Sequence, residues 1–460
     1  MNIFDFTIIG SGPCGLLSAE LFSKKGKTIV IEQGKYINEQ ESSLYSYDHI
    51  SEAYYNGGFN LAYGLPPVIL SEAKCVGGGS AVNSSIHHRA PKEIWNKWRE
   101  LYHLKGFEED LLEYVYNDIE NIFDAKKGDI NPSIFYKKAE ELGEKVERIP
   151  RWGTEKNGYL ERTTATKIFK EKILNNGGQI FDNTIYIGAE VDRNNEWIIK
   201  LFDLKRKRKY SIRSKHLILA LGASKTPIAL RDIGFKHKQL GKFEIHPTAR
   251  ISIHIPNVST AKPTVEPFQI TGHFPFMMIG SSATKSFLSE LAYPFKKNKD
   301  EINYNHVHNF YAMAPSNQKG DLYLSGPLKG TKIYFVNKLT KYLVLEGLEL
   351  ILKIARECGA KNFYHTGMVL NIKDYEDIEI RSKFKNSCFK NTLSSVHVMS
   401  SCAIGENKIL CPLNSYGRIE GIPNLLIIDQ STMPSCPTVN PQATATLISM
   451  INTRNYIKKL

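Results

Sequence analysis

The sequence contains few cysteines, and no two of them stand at the spacing of a metal or redox motif. Its seven cysteines are scattered along 460 residues, and no CxxC pair occurs. Disulfide frameworks and four-cysteine zinc sites both need regularly spaced cysteines, so neither is indicated. We therefore expect a protein of the reducing cytoplasm and predict no bound metal.

Long apolar runs are also missing. No stretch approaches the roughly 18 uninterrupted apolar residues that a membrane-spanning helix needs. The first residues, MNIFDFTIIGSG, lack the basic segment and the long apolar segment of a secretory signal. The sequence predicts neither export nor a transmembrane segment.

Composition lies close to the average of globular proteins, with 42% hydrophobic and 23% charged residues. The length of 460 residues predicts two domains, or one large α/β unit with an added layer. The net charge of +13 permits nucleic acid, an anionic membrane surface or an anionic ligand as partner and selects none of them. The basic run at 205–209 lies between β-rich segments at 196–203 and 210–221. We interpret it as the solvated tip of a hairpin and predict no nucleic-acid partner.

The amino terminus has the pattern of half a Rossmann unit: strand, tight turn, helix and second strand. The turn contains Gly10, Gly12 and Gly15 in the GxGxxG spacing, and Glu32 ends the second strand. In such a turn the glycines allow a tight bend, close approach of a pyrophosphate and close packing of helix on strand. Amides at the helix start then bind the phosphates, and the acid binds a ribose hydroxyl.

A second glycine-rich segment, CVGGGSAVN, begins at Cys75. Its three successive glycines predict another close approach of backbone to ligand, and Ser80 and Asn83 are placed to orient that ligand. The polar residues at 35–73 between the two glycine segments are interpreted as loops over the nucleotide.

The rest of the chain predicts an α/β protein with two domains. Residues 1–235 and 388–460 are assigned to a discontinuous Rossmann-like nucleotide domain, because the chain returns to an apolar strand at 424–430 and a final helix. Residues 236–387 alternate as antiparallel strands do and are assigned to a second, α+β substrate domain.

Several motifs, in one order, resemble those of the glucose-methanol-choline (GMC) oxidoreductase family. They are GSGPCG, CVGGGSAVN, HLILALGASKTP, LGKFEIHP, HVMSSCAIG, GRIEGIPNLLIIDQSTMP and VNPQAT. The resemblance is strongest over 1–100, 180–250 and 390–460. It implies that the Rossmann-like domain binds FAD and that the protein oxidises alcohols.

The resemblance also implies roles for individual residues. The cofactor-binding residues would be Gly10, Gly12, Gly15 and Glu32 at the ADP half, Val191 at the adenine, Gly78, Gly79, Ser80 and Asn83 at the isoalloxazine and ribityl, Asp429 at the pyrophosphate and ribityl, and Gln442 at the flavin pyrimidine. His397 and Asn440 match the catalytic pair. His397 would accept the hydroxyl proton while a hydride passes to flavin N5, and Asn440 would donate a hydrogen bond to the same oxygen.

Two departures from the family pattern stand out. Some members tether FAD through a histidine directly before the asparagine of the glycine-rich block, but Val82 stands there in this chain. We therefore expect noncovalent FAD. The HVMSSCAIG motif has Ser400 where the family pattern has its first glycine, which concerns the loop geometry and leaves His397 in place.

Other histidines were weighed against these. His306 and His308 share one face of a predicted strand, but no third ligand has motif spacing, so we interpret them as structural. His87 and His88 follow the second glycine segment, and one of them could face the ligand. His246 belongs to the family-like HP pair and is expected to be structural.

The function expected from the resemblance is FAD-dependent oxidation of an alcohol to a carbonyl. The block HRAPKEIW and the tyrosines and histidines of the predicted substrate sheet favour a sugar, aminosugar or cyclitol as substrate. The electron acceptor would be oxygen, a quinone or a redox protein. The sequence contains no GxSxG elbow, no second GxGxxG and no CxxxxC redox pair, which disfavours a hydrolase and a nicotinamide-dependent flavin reductase.

Three alternatives stay open from the sequence. The first is a GMC-type lyase or isomerase with redox-silent FAD. The second is an oxidoreductase for an apolar substrate such as a sterol or long-chain alcohol, whose binding site should be lined mainly by apolar side chains. The third is a nucleic-acid or anionic-surface binding protein that uses the +13 charge and binds in a salt-sensitive way.

Overall fold

A computed structural model describes residues 3–37, 46–128, 130–156, 159–256, 258, 266–272, 278–281, 306–316, 318–365, 368–387 and 393–460. Strands in these ranges are β1 (Ile3–Ile9), β2 (Thr28–Ile31), β3 (Asn60–Tyr63), β4 (Val68–Leu70), β5 (Ala125–Lys126), β6 (Val146–Arg148), β7 (Arg151–Lys156), β8 (Tyr159–Arg162), β9 (Gln179–Phe181), β10 (Thr184–Val191), β11 (Trp197–Asp203), β12 (Arg208–Leu219), β13 (Lys242–Ile245), β14 (Thr248–His254), β15 (Phe268–Ile270), β16 (Met278–Ser281), β17 (Val307–Met313), β18 (Gly320–Leu322), β19 (Lys332–Ile333), β20 (Asn362–His365), β21 (Met368–Asn371), β22 (Leu393–Ser395), β23 (Val398–Met399) and β24 (Leu425–Ile427). The α-helices are α1 (Pro13–Ser23), α2 (Tyr47–Ala53), α3 (Gly79–Val82), α4 (Lys92–Leu101), α5 (Glu109–Phe123), α6 (Ile134–Glu141), α7 (Ala165–Asn175), α8 (Thr226–Asp232), α9 (Lys338–Glu357), α10 (Ile378–Ser387) and α11 (Gln442–Ile457).

The first sheet has the strand order β10-β11-β12-β1-β2-β9, and β24 pairs with β12. The pairs β12–β1, β1–β2, β2–β9 and β12–β24 are parallel, whereas β10, β11 and β12 form an antiparallel meander. Helix α1 packs against α7 and α11 beside this sheet. The predicted Rossmann-like α/β unit is confirmed, and the basic run lies at the turn between β11 and β12, as predicted.

The central strands are apolar because they are covered by helices. Phe6, Ile8, Val30 and Leu217 are all buried, as is typical of parallel strands inside an α/β unit. Each parallel strand ends at the same edge of the sheet, so the residues that follow β1, β2, β12 and β24 meet there.

The prediction of loops at 35–73 was wrong in part. This segment contains α2, β3 and β4, and the strands pair with each other. They are too short to show a convincing alternation in the sequence, and partners distant in the chain stabilise them: β19 pairs with β3 and β22 pairs with β4.

The second sheet has fourteen strands among the described residues and is mostly antiparallel. Its main order is β23-β13-β18-β19-β3-β4-β22-β14-β17-β16-β15-β6. Helix α9 packs against β14 and β17. The final helix predicted from the sequence is present as α11.

The second sheet recruits strands from outside 236–387. Strands β3, β4 and β6 precede that range, and β22 and β23 follow it. The two predicted domains are thus joined by strand pairing, and their boundaries stay a prediction. The boundary at 388 and Cys388 lie outside the described residues. In the described part of the chain, no helix has both the length and the apolarity needed to cross a bilayer.

Candidate active site

One cavity of about 910 Å³ lies between the two sheets. All predicted site residues except Ser80 and Val191 line it. One end lies at the carboxyl edge of the parallel strands, where open α/β sheets bind their ligands. The other end lies against the second sheet, at His397 and Asn440.

The first glycine turn needs its glycines for two different reasons. A Cβ at Gly10, whose φ is +104°, would lie 2.1 Å from the carbonyl oxygen of Ala220, and one at Gly15 would lie 2.1 Å from the carbonyl oxygen of Gly10. A Cβ at Gly12 would meet nothing within 4 Å. Gly10 and Gly15 are therefore required by the packing of the chain, whereas Gly12 borders open cavity at the start of α1.

Glu32 helps to shape the same turn. Its carboxylate accepts hydrogen bonds from the Ser11 amide at 3.0 Å, the Ser11 hydroxyl at 2.7 Å and the Gly34 amide at 2.8 Å. Burial raises the pKa of this carboxyl group because a buried charge loses its hydration. Glu32 lines the cavity while it also fixes the turn that follows β1.

The second glycine segment packs directly on the first. The Gly77 amide donates to the Ser11 carbonyl at 3.1 Å, and a Cβ at Gly78 would lie 2.7 Å from the Cα of Gly12. Gly79 faces open space and begins the short helix α3. The two turns therefore form one backbone-lined wall.

Ser80 does not face the cavity. Its hydroxyl donates to the Gly77 carbonyl at 2.7 Å and accepts from the Ala165 amide at 3.1 Å. Val191 is also outside the lining, because it ends β10 at the surface with 37% exposure. The first half of the same strand, Thr184 to Ile187, lines the cavity instead.

Asp429 and Gln442 bring the carboxy-terminal segment to the cavity. Asp429 accepts from the Gly222 amide at 3.0 Å, the Ser431 amide at 2.7 Å and the Thr226 hydroxyl. The Gln442 side-chain oxygen accepts from the Asn83 amide group, whereas its Nε2 is buried without a partner in the described structure. A buried donor of this kind at a cavity wall indicates a ligand acceptor.

His397 and Asn440 lie at the cavity end opposite the first glycine turn. His397 follows β22, and its Nδ1 lies 2.8 Å from Nδ1 of His246. Burial, followed by the positive charge of Arg250, lowers the pKa of His397 to about 3. The Asn440 side-chain oxygen accepts from Nε2 of Gln269 at 3.3 Å. At neutral pH the imidazole of His397 is therefore uncharged, and its second nitrogen, Nε2, is available at the cavity.

Strand register adds residues that the sequence did not single out. Thr248 pairs with Ser394 and Met313, and Arg250 pairs with Tyr311, so these five side chains lie on one face of the sheet. All five line the cavity beside His397. Arg250 donates to the Ser394 hydroxyl. Only the pairing of β14, β17 and β22 could have revealed this group, and no local motif encodes it.

The other histidines weighed from the sequence, His87, His88, His306 and His308, do not line the cavity. His87 Nε2 is 3.0 Å from a carboxylate oxygen of Glu120, and its Nδ1 accepts from the Trp152 indole at 2.9 Å. His306 and His308 both contact the carbonyl oxygen of Val258. Across the described ranges, no cluster of three or more His, Cys, Asp or Glu residues is arranged to hold a metal ion.

Comparison with known proteins decides the family. One model described as GMC oxidoreductase, for the amino-terminal part of the family, matches residues 50–248, and the carboxy-terminal GMC oxidoreductase model matches residues 317–449. This chain belongs to the GMC oxidoreductase family. The resemblance of its motifs to this family is thereby confirmed.

Similar proteins occur in several organisms. An uncharacterized GMC-type oxidoreductase of Sinorhizobium fredii is 25% identical over 96% of this chain and 92% of that protein. A long-chain-alcohol oxidase of Arabidopsis thaliana is 23% identical over 99% of this chain and 69% of that protein. An uncharacterized GMC-type oxidoreductase of Mycobacterium tuberculosis is 21% identical over 95% of this chain and 73% of that protein.

The family generally binds FAD, and the cavity fits such a group. Gly12 and Gly79 leave open space beside backbone, which suits a pyrophosphate at a helix start. The unpartnered Nε2 of Gln442 supplies a donor at the far end of the same cavity. The residues present therefore match an elongated dinucleotide with polar groups at both ends.

The histidine next to His87 makes stability depend on pH. Burial lowers the pKa of His88 to about 4, although Glu147 partly opposes this shift. In the unfolded chain this imidazole takes up a proton below about pH 6.5, so acidification favours unfolding between the two values. Replacing His88 with Gln removes the effect.

We expect the parent to lose up to about 2 kcal/mol of unfolding free energy relative to His88→Gln between pH 7 and pH 5. Urea unfolding of both proteins at each pH measures the difference. A difference that stays constant over this range would show that His88 titrates normally in the folded protein.

Proposed function

We propose that this chain is an FAD-dependent oxidoreductase that converts an alcohol group to a carbonyl. The observation that carries this proposal is the single cavity that joins the first glycine turn to His397 and Asn440. The glycine turn proposed to bind the nucleotide and the uncharged His397 thus line the same space. Bound FAD would supply the acceptor for the hydride that leaves the carbinol carbon.

His397 is proposed as the base. A neutral alcohol is a poor hydride donor until its oxygen gains alkoxide character, so its hydroxyl proton has to be taken up as the hydride leaves. The low pKa of His397, about 3, keeps the imidazole unprotonated at neutral pH. Its Nδ1 is engaged by His246, so Nε2 is the nitrogen that receives the proton.

Asn440 is proposed to hold the substrate oxygen. Its side-chain oxygen already accepts from Gln269, so its Nδ2 is the group that can donate toward the substrate. A donor and an acceptor then converge on one hydroxyl group. This pair orients the carbinol, which is the contribution expected of the protein in a cofactor enzyme.

A polar substrate is favoured by the side chains near His397. Thr248, Arg250, Tyr311 and Ser394 line the cavity with polar side chains, and the hydroxyl groups of a sugar, aminosugar or cyclitol suit such a lining. A long-chain alcohol is the second candidate. It is favoured by the name of the Arabidopsis relative and by Met313 and Val396, which line the same region.

The proposal is tested by anaerobic flavin bleaching with a panel of polyols, aminosugars, sterols and long-chain alcohols. Bleaching by any alcohol supports the oxidoreductase, and the fastest member names the substrate class. Stoichiometric formation of NADH or NADPH with the flavin still oxidised would contradict the proposed hydride acceptor. Turnover of a substrate without bleaching would favour the lyase or isomerase.

The first prediction from the proposed function concerns His397 as the base. His397→Ala should keep near-normal FAD content and slow anaerobic flavin reduction at least about 10²-fold, because positioned proton transfer contributes about 10² to 10⁴ in rate. Stopped-flow absorbance measures the reduction. His237→Ala, at a histidine outside the cavity, is the control and should react like the parent. Equal rates for both variants would remove His397 from the mechanism.

A second prediction concerns attachment of the cofactor. Val82 lines the cavity directly before Asn83, and its side chain has no nucleophile that could form a link to FAD. Acid precipitation should therefore leave the yellow colour in the supernatant, and phosphodiesterase should convert it to FMN. Colour in the washed pellet would mean covalent attachment.

A third prediction distinguishes a glycine that leaves room for the ligand from a glycine that the packing of the chain requires. Gly12→Ala should lose most of its FAD while its unfolding free energy without cofactor stays within about 0.5 kcal/mol of the parent, since its Cβ meets no protein atom. Gly10→Ala is the contrast, because its Cβ would collide with backbone and destabilise the fold. Flavin absorbance per protein and urea unfolding measure both. Full FAD content in Gly12→Ala would place the pyrophosphate elsewhere.

A further inference from the structure

His397 is backed by a second histidine. The two Nδ1 atoms of His397 and His246 are 2.8 Å apart, and their rings are nearly perpendicular at 83°. His246 is fully buried and is not part of the cavity wall. It therefore cannot contact a substrate, but it touches the nitrogen of His397 that the substrate does not use.

The other side of His246 meets a cysteine. Its Nε2 lies 2.7 Å from Sγ of Cys436, which belongs to the segment before α11. The Cys436 amide donates to a Glu244 carboxylate oxygen at 2.7 Å. Cys436 and Glu244 are both buried. Both ring nitrogens of His246 are thus engaged by side chains of this chain, in the order His397, His246, Cys436.

Backbone contacts fix the relative positions of the two histidines in this row of three side chains, His397, His246 and Cys436. The Ser395 hydroxyl oxygen accepts from the amides of His246 and His397, each at 3.2 Å. Ile245 of β13 pairs with Val398 of β23 on the other side of the two histidines. The separation of the rings is therefore set by strand pairing rather than by two free side chains.

We propose that His246 and Cys436 are positioning residues that fix the tautomer of His397, with the His397 proton on Nδ1 and the lone pair on Nε2. This inference rests on the proposed function, in which Nε2 is the base. It adds a role for two residues that do not contact the substrate.

The assignment follows from counting protons. The substrate hydroxyl already receives a donor from Asn440, so it needs an acceptor at His397. A lone pair on Nε2 requires the proton of neutral His397 on Nδ1, directed at Nδ1 of His246. His246 then accepts at Nδ1 and has its own proton on Nε2, so the sulfur of Cys436 is the acceptor at the end of the row.

The charged groups around these three side chains favour the uncharged form of each. Arg250 on β14 acts on His397 from the cavity side, and Glu244 on β13 acts on Cys436 from the other. Burial and then the charge of His397, if it were protonated, lower the pKa of His246 well below its usual value. Burial and Glu244 raise the pKa of the Cys436 thiol. All three side chains are therefore uncharged before the substrate proton moves.

The test compares Cys436→Ala with Cys436→Ser. A methyl group cannot accept the Nε2 proton of His246, which favours the opposite tautomer and turns a donor toward His397. A hydroxyl group can accept it. For Cys436→Ala we expect flavin reduction at saturating alcohol to slow at least about 10-fold, with the half-saturating alcohol concentration within about twofold of the parent. Cys436→Ser should recover to within about threefold.

A second readout does not depend on activity. In protein labelled with ¹⁵N-histidine, the shifts and proton couplings of the ring nitrogens report which one is protonated, and His246→Gln and His397→Gln assign the signals. We expect protonated Nδ1 on His397 and protonated Nε2 on His246 in the parent and in Cys436→Ser. Cys436→Ala should show both tautomers reversed.

The outcomes separate the two proposals. A parent with protonated Nε2 on His397, or a Cys436→Ala variant with unchanged tautomers and rate, overturns the positioning role whether or not an alcohol is oxidised. If the parent shows the expected tautomers but no alcohol reduces its flavin, the positioning role is supported and the proposed function is rejected. A loss of rate in Cys436→Ser equal to that in Cys436→Ala, with unchanged tautomers, would assign Cys436 to packing alone.

Discussion

The close approach of two glycine turns is the contact on which the site depends. The turn after β1 and the turn before α3 meet backbone to backbone, with room for no Cβ at Gly78. Any side chain there would separate the parallel sheet from the segment that leads to Asn83. Because the turns touch, the carboxyl edge of the parallel strands continues into the cavity wall formed by the second glycine segment. Burial of the ionisable groups around this wall then follows from its tight packing.

Burial at this wall shifts the pKa values of the carboxyl groups and of the histidines in opposite directions. Burial raises the pKa of Glu32 and Asp429, and it lowers the pKa of His397 and His246. Each carboxylate has backbone and hydroxyl donors, which are the partners a buried anion needs. The histidines are instead held neutral. Hydrogen-bond acceptors therefore lie both at the glycine-turn end of the cavity, at Glu32 and Asp429, and at the end that contains His397.

The local parts of the site were predictable from the sequence. Gly10, Gly12 and Glu32 belong to one strand, turn and strand, so their spacing alone determines where they meet. Ser80 was predicted to orient the ligand, but its hydroxyl hydrogen-bonds to backbone groups of the second turn and of α7 and does not line the cavity. A motif shows that a polar side chain is present without showing which way it points.

The parts of the site that come from residues far apart in the sequence were not predictable in the same way. Val191 lies on the predicted strand, but a bulge between Tyr186 and Gly188 and the length of β10 place it at the surface end. Arg250 and Tyr311 meet only through the pairing of β14 with β17, some sixty positions apart in the chain. Register of this kind depends on the whole sheet, because a shift of one residue would reverse every side chain. The motifs therefore pointed to His397 and Asn440, which line the cavity, but not to the residues around them.

The position of β24 has a consequence for how the protein is made. This strand pairs with β12, and α11 packs against α1, so the segment from Leu425 onward completes a sheet that also contains β1. During synthesis, Leu217 to Leu219 of β12 stay without strand partners on the side of β11 until β24 has been made. Unpaired edges of this kind attract other strands. The carboxyl end of β12, which leads into the cavity, is therefore completed only after every described strand of the second sheet has been synthesised.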